Sequence, residues 1–131
     1  TRGTGTRVLL DYMLKSIARD RGVDFEELTK RIKGYTYEVK THTAVAAAVK
    51  HGRADAGLAL GVVAKLYDLD FIPLKWEEFD FLIPVDKLEK ESVKEFLKAL
   101  QNRDLLEGLI KGFEEYYRIR PDTGRVVEVA S

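Results

Sequence analysis

The chain has 131 residues, of which 45% are hydrophobic and 34% charged, and its 22 Lys and Arg residues balance 22 Asp and Glu residues. This composition is typical of one globular domain. The formal charge of zero argues against a generic nucleic-acid-binding protein, which needs a surplus of Lys and Arg on one face. The absence of cysteine excludes disulfides, thiol nucleophiles and cysteine-based metal sites.

The sequence predicts no contact with a membrane. The longest stretches without a charged residue, such as Thr41–Val49, are far shorter than the ~20 apolar residues that cross a bilayer. Thr1–Arg7 has neither an initiator methionine nor the apolar core of a signal peptide, which indicates a boundary made by truncation or processing. We expect a cytoplasmic location, or an extracytoplasmic one if a signal peptide lies upstream. The scarcity of Asn, Gln, Met and Cys beside many Lys and Glu residues is typical of hyperthermophile proteins.

The hydrophobic periodicity predicts six helices. Arg7–Arg21 has apolar side chains on one face, and Gly22 is placed to end the helix. Asp24 followed by Glu27 is a capping-box pattern, and the helix that it begins is expected to end near Lys33. Four more helices are predicted over 42–51, 61–67, 92–102 and 104–112.

Strands are predicted between these helices, because short runs of apolar, β-branched and aromatic residues separate them. The predicted strands cover 35–39, 54–60, 71–74, 79–83 and 125–129, and a turn is expected over 121–124. Gly57, inside the second strand, predicts a close approach of two backbone segments. Strands that alternate with helices predict the α/β class, a layered sheet flanked by helices.

The stretch Gly3-Thr4-Gly5-Thr6 before the first helix is a candidate anion-binding loop. A helix start leaves amide N–H groups unpaired, the glycines let the backbone approach a ligand closely, and the hydroxyls of Thr4 and Thr6 add donors. The stretch is not a Walker A loop, because the Lys-Ser/Thr pair is absent. The alternative is an ordinary glycine-rich helix start with Thr4 or Thr6 as the N-cap.

A second helix start has similar features. Thr41-His42-Thr43 precedes the small-sided run Ala44–Val49, so hydroxyls and free amides again meet at one helix N-terminus. Thr41 has two interpretations that can coexist, an N-cap or a ligand contact. His42 either faces the ligand or is solvated or bonded to backbone.

Arg7 also has two interpretations. It either pairs with an anion bound at the first helix start, or it begins a ladder of charged side chains with Asp11 and Lys15 at i,i+4 spacing. No pair of histidines has metal-ligand spacing, and no group of carboxylates near the two starts suggests an acid and a base. We therefore assign no catalytic, cofactor-binding or metal-binding residue.

Five stretches, taken in order, resemble a known family. They are Arg2–Arg7, Thr41–Val49, Gly52–Leu58, Asp70–Leu74 and Phe81–Pro84. Together they resemble the periplasmic-binding-protein-like domain of molybdate-binding proteins, which is also fused to molybdenum-insertion proteins of molybdopterin synthesis and to some transcription regulators.

The resemblance implies a two-lobed α/β binding protein of type II with its ligand in the cleft. The family's first cleft loop matches Thr4, Gly5, Thr6 and Arg7, and its second matches Thr41, His42 and Thr43. Family members have a further stretch before the glycine-rich motif, so the domain is expected to be N-terminally incomplete. Residues 1–78 would form the second lobe, and residues 79–131 a crossover strand with helices that return toward the first lobe.

The expected function is binding of a small oxyanion, molybdate or tungstate, or of a molybdopterin-related ligand, in sensing, delivery or biosynthesis. One alternative is an enzyme or enzyme subunit of molybdenum cofactor synthesis that holds a substrate phosphate in the same loops. A second is a regulatory or assembly domain without a ligand. The motifs favour a chain without catalytic activity.

The last two predicted helices, 92–102 and 104–112, have apolar faces that need a cover. In the family these helices would pack on the first lobe. We therefore expect that the chain either self-associates or is one piece of a longer polypeptide.

Overall fold

The computed structural model of the protein describes residues 4–127. In that range the six predicted helices are confirmed, with small shifts at their ends. They are α1 (Gly5–Arg21), α2 (Phe25–Arg31), α3 (His42–Lys50), α4 (Gly61–Leu66), α5 (Glu91–Gln101) and α6 (Arg103–Leu109). A short 3-10 helix, Val85–Lys87, was not predicted. None of the helices in this range is long and apolar enough to cross a membrane.

The helix ends follow the local sequence as predicted. Gly22 has a φ of 62° and donates its N–H to the Ala18 and Arg19 carbonyls, so α1 ends in the left-handed conformation that glycine adopts without steric cost. Asp24 Oδ1 accepts the amides of Glu26 at 2.8 Å and Glu27 at 3.3 Å, which caps α2.

The predicted α/β class, with its layered sheet, is wrong for the described residues. Residues 4–127 contain helices, turns and irregular segments but no strand. The five segments predicted as strands, 35–39, 54–60, 71–74, 79–83 and the described part of 125–129, are therefore not paired into a sheet. Residues 128 and 129 of the last segment lie outside the described residues. The C-terminal helices that were part of the same prediction are present as α5 and α6.

The reason is that alternating apolar residues favour a strand but do not supply its hydrogen-bonding neighbour. The first segment is drawn into a turn instead, because the Tyr37 N–H donates to the Gly34 carbonyl at 2.9 Å. In the second, the Leu60 N–H donates to a side chain, His42 Nδ1, at 3.3 Å. Pro73, in the third, has no N–H to offer a ladder.

The chain divides into two compact units, with the boundary between Pro73 and Leu74. In the first unit α1 packs against α2, and α3 packs against α4. Its buried apolar residues are small for the most part: Ala18, Ala46, Ala48, Val63 and Ala64. Because small side chains dominate, this core forms where helices approach closely rather than around large aliphatic groups.

Gly57 lies close to α3, although the atoms that it approaches belong to side chains and not to the backbone that was predicted. A Cβ atom built on Gly57 would overlap Cγ1 of Val45 on α3 and lie 3.6 Å from Cγ2 of Val49. The absence of a side chain at this position therefore allows the segment before α4 to lie directly against α3.

The second unit contains α5 and α6, which pack against each other. The predicted turn over residues 121–124 is confirmed, and it is tied to the end of α5 by a bond from Gln101 Nε2 to the Gly124 carbonyl at 3.1 Å. The Phe81 ring meets the Phe96 ring edge to face, with centroids 5.0 Å apart. Arg120 forms an ion pair with Glu78.

The segment before α5 exposes many large apolar side chains. Six of these side chains belong to the second unit: Leu74, Trp76, Phe79, Phe81, Leu82 and Val85. Exposed apolar groups of this density are typical of a surface that another chain or segment covers. Self-association stays a prediction, which light scattering can test.

The contact at Gly57 gives a first testable prediction. We expect Gly57→Ala to lower the free energy of unfolding by about 1–3 kcal/mol, because the new methyl group overlaps a β-branched side chain with few alternative rotamers. Urea denaturation measures the change. Gly108→Ala is the matched control, since nothing lies within 4 Å of a Cβ there, and alanine should stabilise α6 by roughly 0.5–1 kcal/mol.

The double variant Val45→Ala with Gly57→Ala shows whether the overlap with Val45 causes the loss of stability in Gly57→Ala. If the overlap destabilises the single variant, shortening Val45 should make the double variant more stable than the sum of the two single changes predicts. Additive effects would show that the contact between Gly57 and α3 does not limit packing.

Candidate ligand-binding site

The start of α1 is capped by Thr4. Its Oγ1 accepts the Arg7 amide at 3.4 Å, and its carbonyl accepts the Val8 amide at 3.0 Å. The hydroxyls of Thr4 and Thr6 lie 3.3 Å apart. The amides of Gly5 and Thr6 have no acceptor inside the helix, because the first turn of any α-helix lacks a preceding carbonyl.

The start of α3 repeats this arrangement. Thr41 Oγ1 accepts the Ala44 amide at 3.1 Å, and the Thr41 carbonyl accepts the Val45 amide at 3.1 Å. The hydroxyls of Thr41 and Thr43 lie 3.1 Å apart. The amides of His42 and Thr43 are the ones without a helical acceptor.

The two starts are therefore the same local structure, written Thr-x-Thr in both places. In each, the first threonine is the N-cap, and the second occupies the second helical position with its hydroxyl beside the first. This arrangement confirms that Thr4 and Thr41 are N-caps. A ligand contact by a threonine of each pair does not conflict with the cap, because the cap uses an oxygen lone pair. One hydroxyl hydrogen of each pair lies between the two hydroxyl oxygens, so each pair has at most one hydroxyl hydrogen that a ligand could accept.

His42 contributes to packing. Its Nδ1 accepts the Leu60 amide at 3.3 Å, which links the start of α3 to the residue before α4. In the neutral ring this bond places the hydrogen on Nε2. Of the two interpretations of His42, the bond to backbone is the one that is formed.

Arg7 forms the first pair of the predicted charged ladder and also bonds outside its helix. Its Nε lies 3.4 Å from Asp11 Oδ1 and its Nη1 lies 3.7 Å from Glu38 Oε1. Nη1 also donates to the Tyr35 carbonyl at 2.8 Å, and the guanidinium lies 4.2 Å from the Tyr35 ring centre. The Arg7 side chain is only 13% exposed. Its charge is therefore directed at carboxylates within the protein.

A half-open cavity of about 740 Å³ lies beside Arg7. Its lining is formed by one turn of α1 and the segment after α2: Arg7, Val8, Asp11, Tyr35, Thr36, Tyr37 and Glu38. Of the predicted site residues, this cavity includes Arg7 but none of the threonines at the two helix starts. Gly3 lies outside the described residues.

Sequence reasoning missed the role of the segment 35–38. Tyr35 donates its hydroxyl to Asp11 Oδ1 at 2.8 Å, and its ring packs edge to face on Phe25 at 6.4 Å. The spacing of Arg7 and Asp11 predicted half of this cluster. Nothing local in the sequence indicates its other half, because Tyr35 and Glu38 reach α1 only through tertiary folding.

The described residues offer no obvious metal centre. Within residues 4–127, no three or more His, Asp or Glu side chains are grouped so that they could hold a metal ion. What the geometry offers is hydroxyl and amide donors at two helix starts, together with a separate cavity that contains one guanidinium and two carboxylates.

The chain matches a known protein family. The model of the PBP superfamily domain, a periplasmic-binding-protein-like domain, matches residues 1–101. The chain belongs to this family. The match covers both Thr-x-Thr starts, and membership in the PBP superfamily indicates a ligand-binding domain.

Two relatives of this PBP superfamily domain are themselves uncharacterized. The chain is 36% identical over 100 residues to the uncharacterized protein YvgK of Bacillus subtilis (strain 168), which covers 75% of this chain and 30% of that protein. It is 32% identical over 84 residues to the uncharacterized protein in ferredoxin 2Fe-2S gene 5′ region of Clostridium pasteurianum, covering 60% of this chain and 73% of that protein. No solved structure matches the chain.

The Tyr35 link generates the second testable prediction. We expect Tyr35→Phe to lower the free energy of unfolding by about 0.5–1.5 kcal/mol, because it removes one hydrogen bond to Asp11 and keeps the ring under Arg7. Tyr12→Phe on α1 is the matched control, since Tyr12 is 68% exposed. Urea denaturation of both variants measures the difference. Equal midpoints would mean that the hydroxyl of Tyr35 does not hold the segment 35–38 against α1.

Proposed function

We propose that this PBP superfamily domain binds a small oxyanion, molybdate or tungstate, or a molybdopterin-related ligand, at the starts of α1 and α3, in a sensing, delivery or biosynthetic role. The observation that supports the proposal most strongly is that two separate helix starts have the same Thr-x-Thr arrangement. Both lie inside the stretch that matches a ligand-binding family.

The chemistry of each start suits an anion. The amides without a helical acceptor point out of the N-terminus, where the helix dipole favours negative charge. The threonine pair adds at most one hydroxyl donor, because its other hydroxyl hydrogen lies between the two oxygens. Gly5 leaves the backbone of α1 open to close approach. His42 contributes its backbone amide, whereas Nδ1 of its ring is engaged with Leu60. Arg7, in the same first turn of α1, is positively charged, and its guanidinium is engaged with the Asp11 and Glu38 carboxylates.

The donor set favours an anion without a proton. Molybdate and tungstate are fully ionised at neutral pH and need donors only, whereas hydrogen phosphate also carries a proton that favours an acceptor in its site. Neither Thr4–Arg7 nor Thr41–Thr43 contains a carboxylate. The two starts are therefore better suited to molybdate or tungstate than to phosphate.

Isothermal titration of the 131-residue chain with molybdate, tungstate, sulfate and phosphate tests the proposal. We expect heat of binding from molybdate and tungstate, and weaker binding of phosphate. Tighter binding of phosphate would favour a site for a phosphorylated substrate instead. The absence of binding for all four anions would contradict oxyanion binding by this chain.

The threonines provide the third testable prediction. Thr6→Val and Thr43→Val remove a hydroxyl but not a cap, and each should weaken molybdate binding by roughly 1.5–3 kcal/mol if that hydroxyl donates to the anion. At about 1.4 kcal/mol per factor of ten, titration calorimetry resolves this loss easily. Thr6→Ser and Thr43→Ser are matched controls that keep the hydroxyl and should bind as the parent does.

Thr4→Val and Thr41→Val test the caps. Each should weaken binding by a similar amount and should also lower the free energy of unfolding by about 1 kcal/mol, because the N-cap bond is lost. A loss of stability without a loss of affinity would restrict these threonines to a structural role. Unchanged affinity in all four valine variants would place the oxyanion elsewhere.

A further inference from the structure

The contact between α3 and α4 includes a hydrogen bond to a titratable side chain. The Leu60 N–H donates to Nδ1 of His42 at 3.3 Å. His42 is the first residue of α3, and Leu60 is the N-cap residue of α4. Because α3 and α4 pack against each other, this bond holds the beginnings of two packed helices together.

No carboxylate is bonded to the His42 ring. Among residues 4–127, the Leu60 amide is the one hydrogen-bond or ion-pair partner of this side chain. The ionisable side chains of α3, of α4, of the segment between them and of the residue before Thr41 are exposed, and none bonds to the ring: Lys40, Lys50, His51, Arg53, Asp55 and Lys65. A positive charge on His42 would therefore have no ion-pair partner in this part of the chain.

Protonation of His42 removes the acceptor that Leu60 uses. A neutral imidazole has one N–H and one acceptor nitrogen, whereas an imidazolium has two N–H groups and no acceptor. With a proton on Nδ1, two donors would face each other across 3.3 Å. The positive charge would also lie at the start of α3, where the helix dipole disfavours it. Both effects oppose the bonded arrangement once the ring is charged.

We propose that His42 is a pH-sensitive switch: the neutral ring holds Leu60 and α4 at the start of α3, and the protonated ring releases them. Histidine is the side chain that ordinarily changes its charge between about pH 5 and 8. The folded arrangement excludes the second proton, so the stability that the link contributes is present above this range and is lost as the pH falls through it. The switch needs no ligand, so it goes beyond the oxyanion function and does not depend on it.

NMR of the ¹⁵N-labelled 131-residue chain, without any anion added, tests the switch from about pH 8 to 5. The ring nitrogens of the two histidines report the protonation of each, and the Leu60 amide reports the link. We expect the Leu60 resonance to move together with the protonation of His42. The protection factor of the Leu60 amide, corrected for the pH dependence of intrinsic exchange, should fall several-fold over the same range.

Variants separate the acceptor from the charge. His42→Asn keeps a neutral acceptor oxygen but does not titrate, and His42→Leu has no acceptor at any pH. In urea denaturation the unfolding equilibrium constant of the parent should rise on acidification by about two- to tenfold more than that of either variant, which corresponds to the loss of one hydrogen bond. His51→Gln is the matched control, because His51 is exposed at the other end of α3, and it should behave as the parent does.

Three results would overturn the proposal. They are a Leu60 amide whose protection factor stays constant while His42 becomes protonated, equal pH dependence of stability in the parent and in both His42 variants, and loss of that pH dependence in His51→Gln. His42→Leu keeps the test valid if the asparagine side chain does not reach the Leu60 amide, since both substitutions remove the titration. None of these measurements uses molybdate, so failure of the oxyanion function would leave the result for the switch unchanged.

Discussion

Amide groups in the first turn of a helix have no acceptor within the helix, and they must be satisfied by a side chain, water or a ligand. In this chain Thr4 and Thr41 satisfy the third amide of α1 and of α3, and each threonine's carbonyl takes the fourth. Two amides remain at each start. The cap therefore sets where each helix begins and also which N–H groups remain available to an anion.

The backbone and the side chain of Arg7 have different roles. Its backbone belongs to the capped turn of α1, whereas its guanidinium is turned to Asp11, Glu38 and the Tyr35 carbonyl. These bonds hold the segment 35–38 against α1, and that segment leads directly to Thr41 at the start of α3. Arg7 therefore links the start of α1 to the segment that precedes α3, through its contacts with the Tyr35 carbonyl and ring. It does not add a free positive charge to either helix start.

The parts of the structure that sequence reasoning predicted correctly are those fixed by near neighbours. Gly22, Asp24 and Thr41 act within their own turn, so their effect on helix ends can be read from spacing alone. The strand predicted over 54–60 differs, because a strand forms only beside a hydrogen-bonded partner strand, which no local pattern supplies. The same distinction applies to the site: the two Thr-x-Thr starts were predicted from local pattern, whereas Tyr35 and Glu38 were not.

Each capping threonine has two separable functions because a hydroxyl has two kinds of hydrogen-bonding atom. The oxygen lone pair of Thr41 accepts the Ala44 amide and stabilises α3, whereas a hydroxyl hydrogen is what an oxyanion would accept. Thr43 makes no capping bond to its helix, so removal of its hydroxyl keeps the bond from the Ala44 amide to Thr41 and loses only the bond between the two hydroxyls. A comparison of variants at the cap position and at the neighbouring non-cap position therefore separates the effect on the free energy of unfolding from the effect on anion affinity. Substitution of the cap alone changes both quantities.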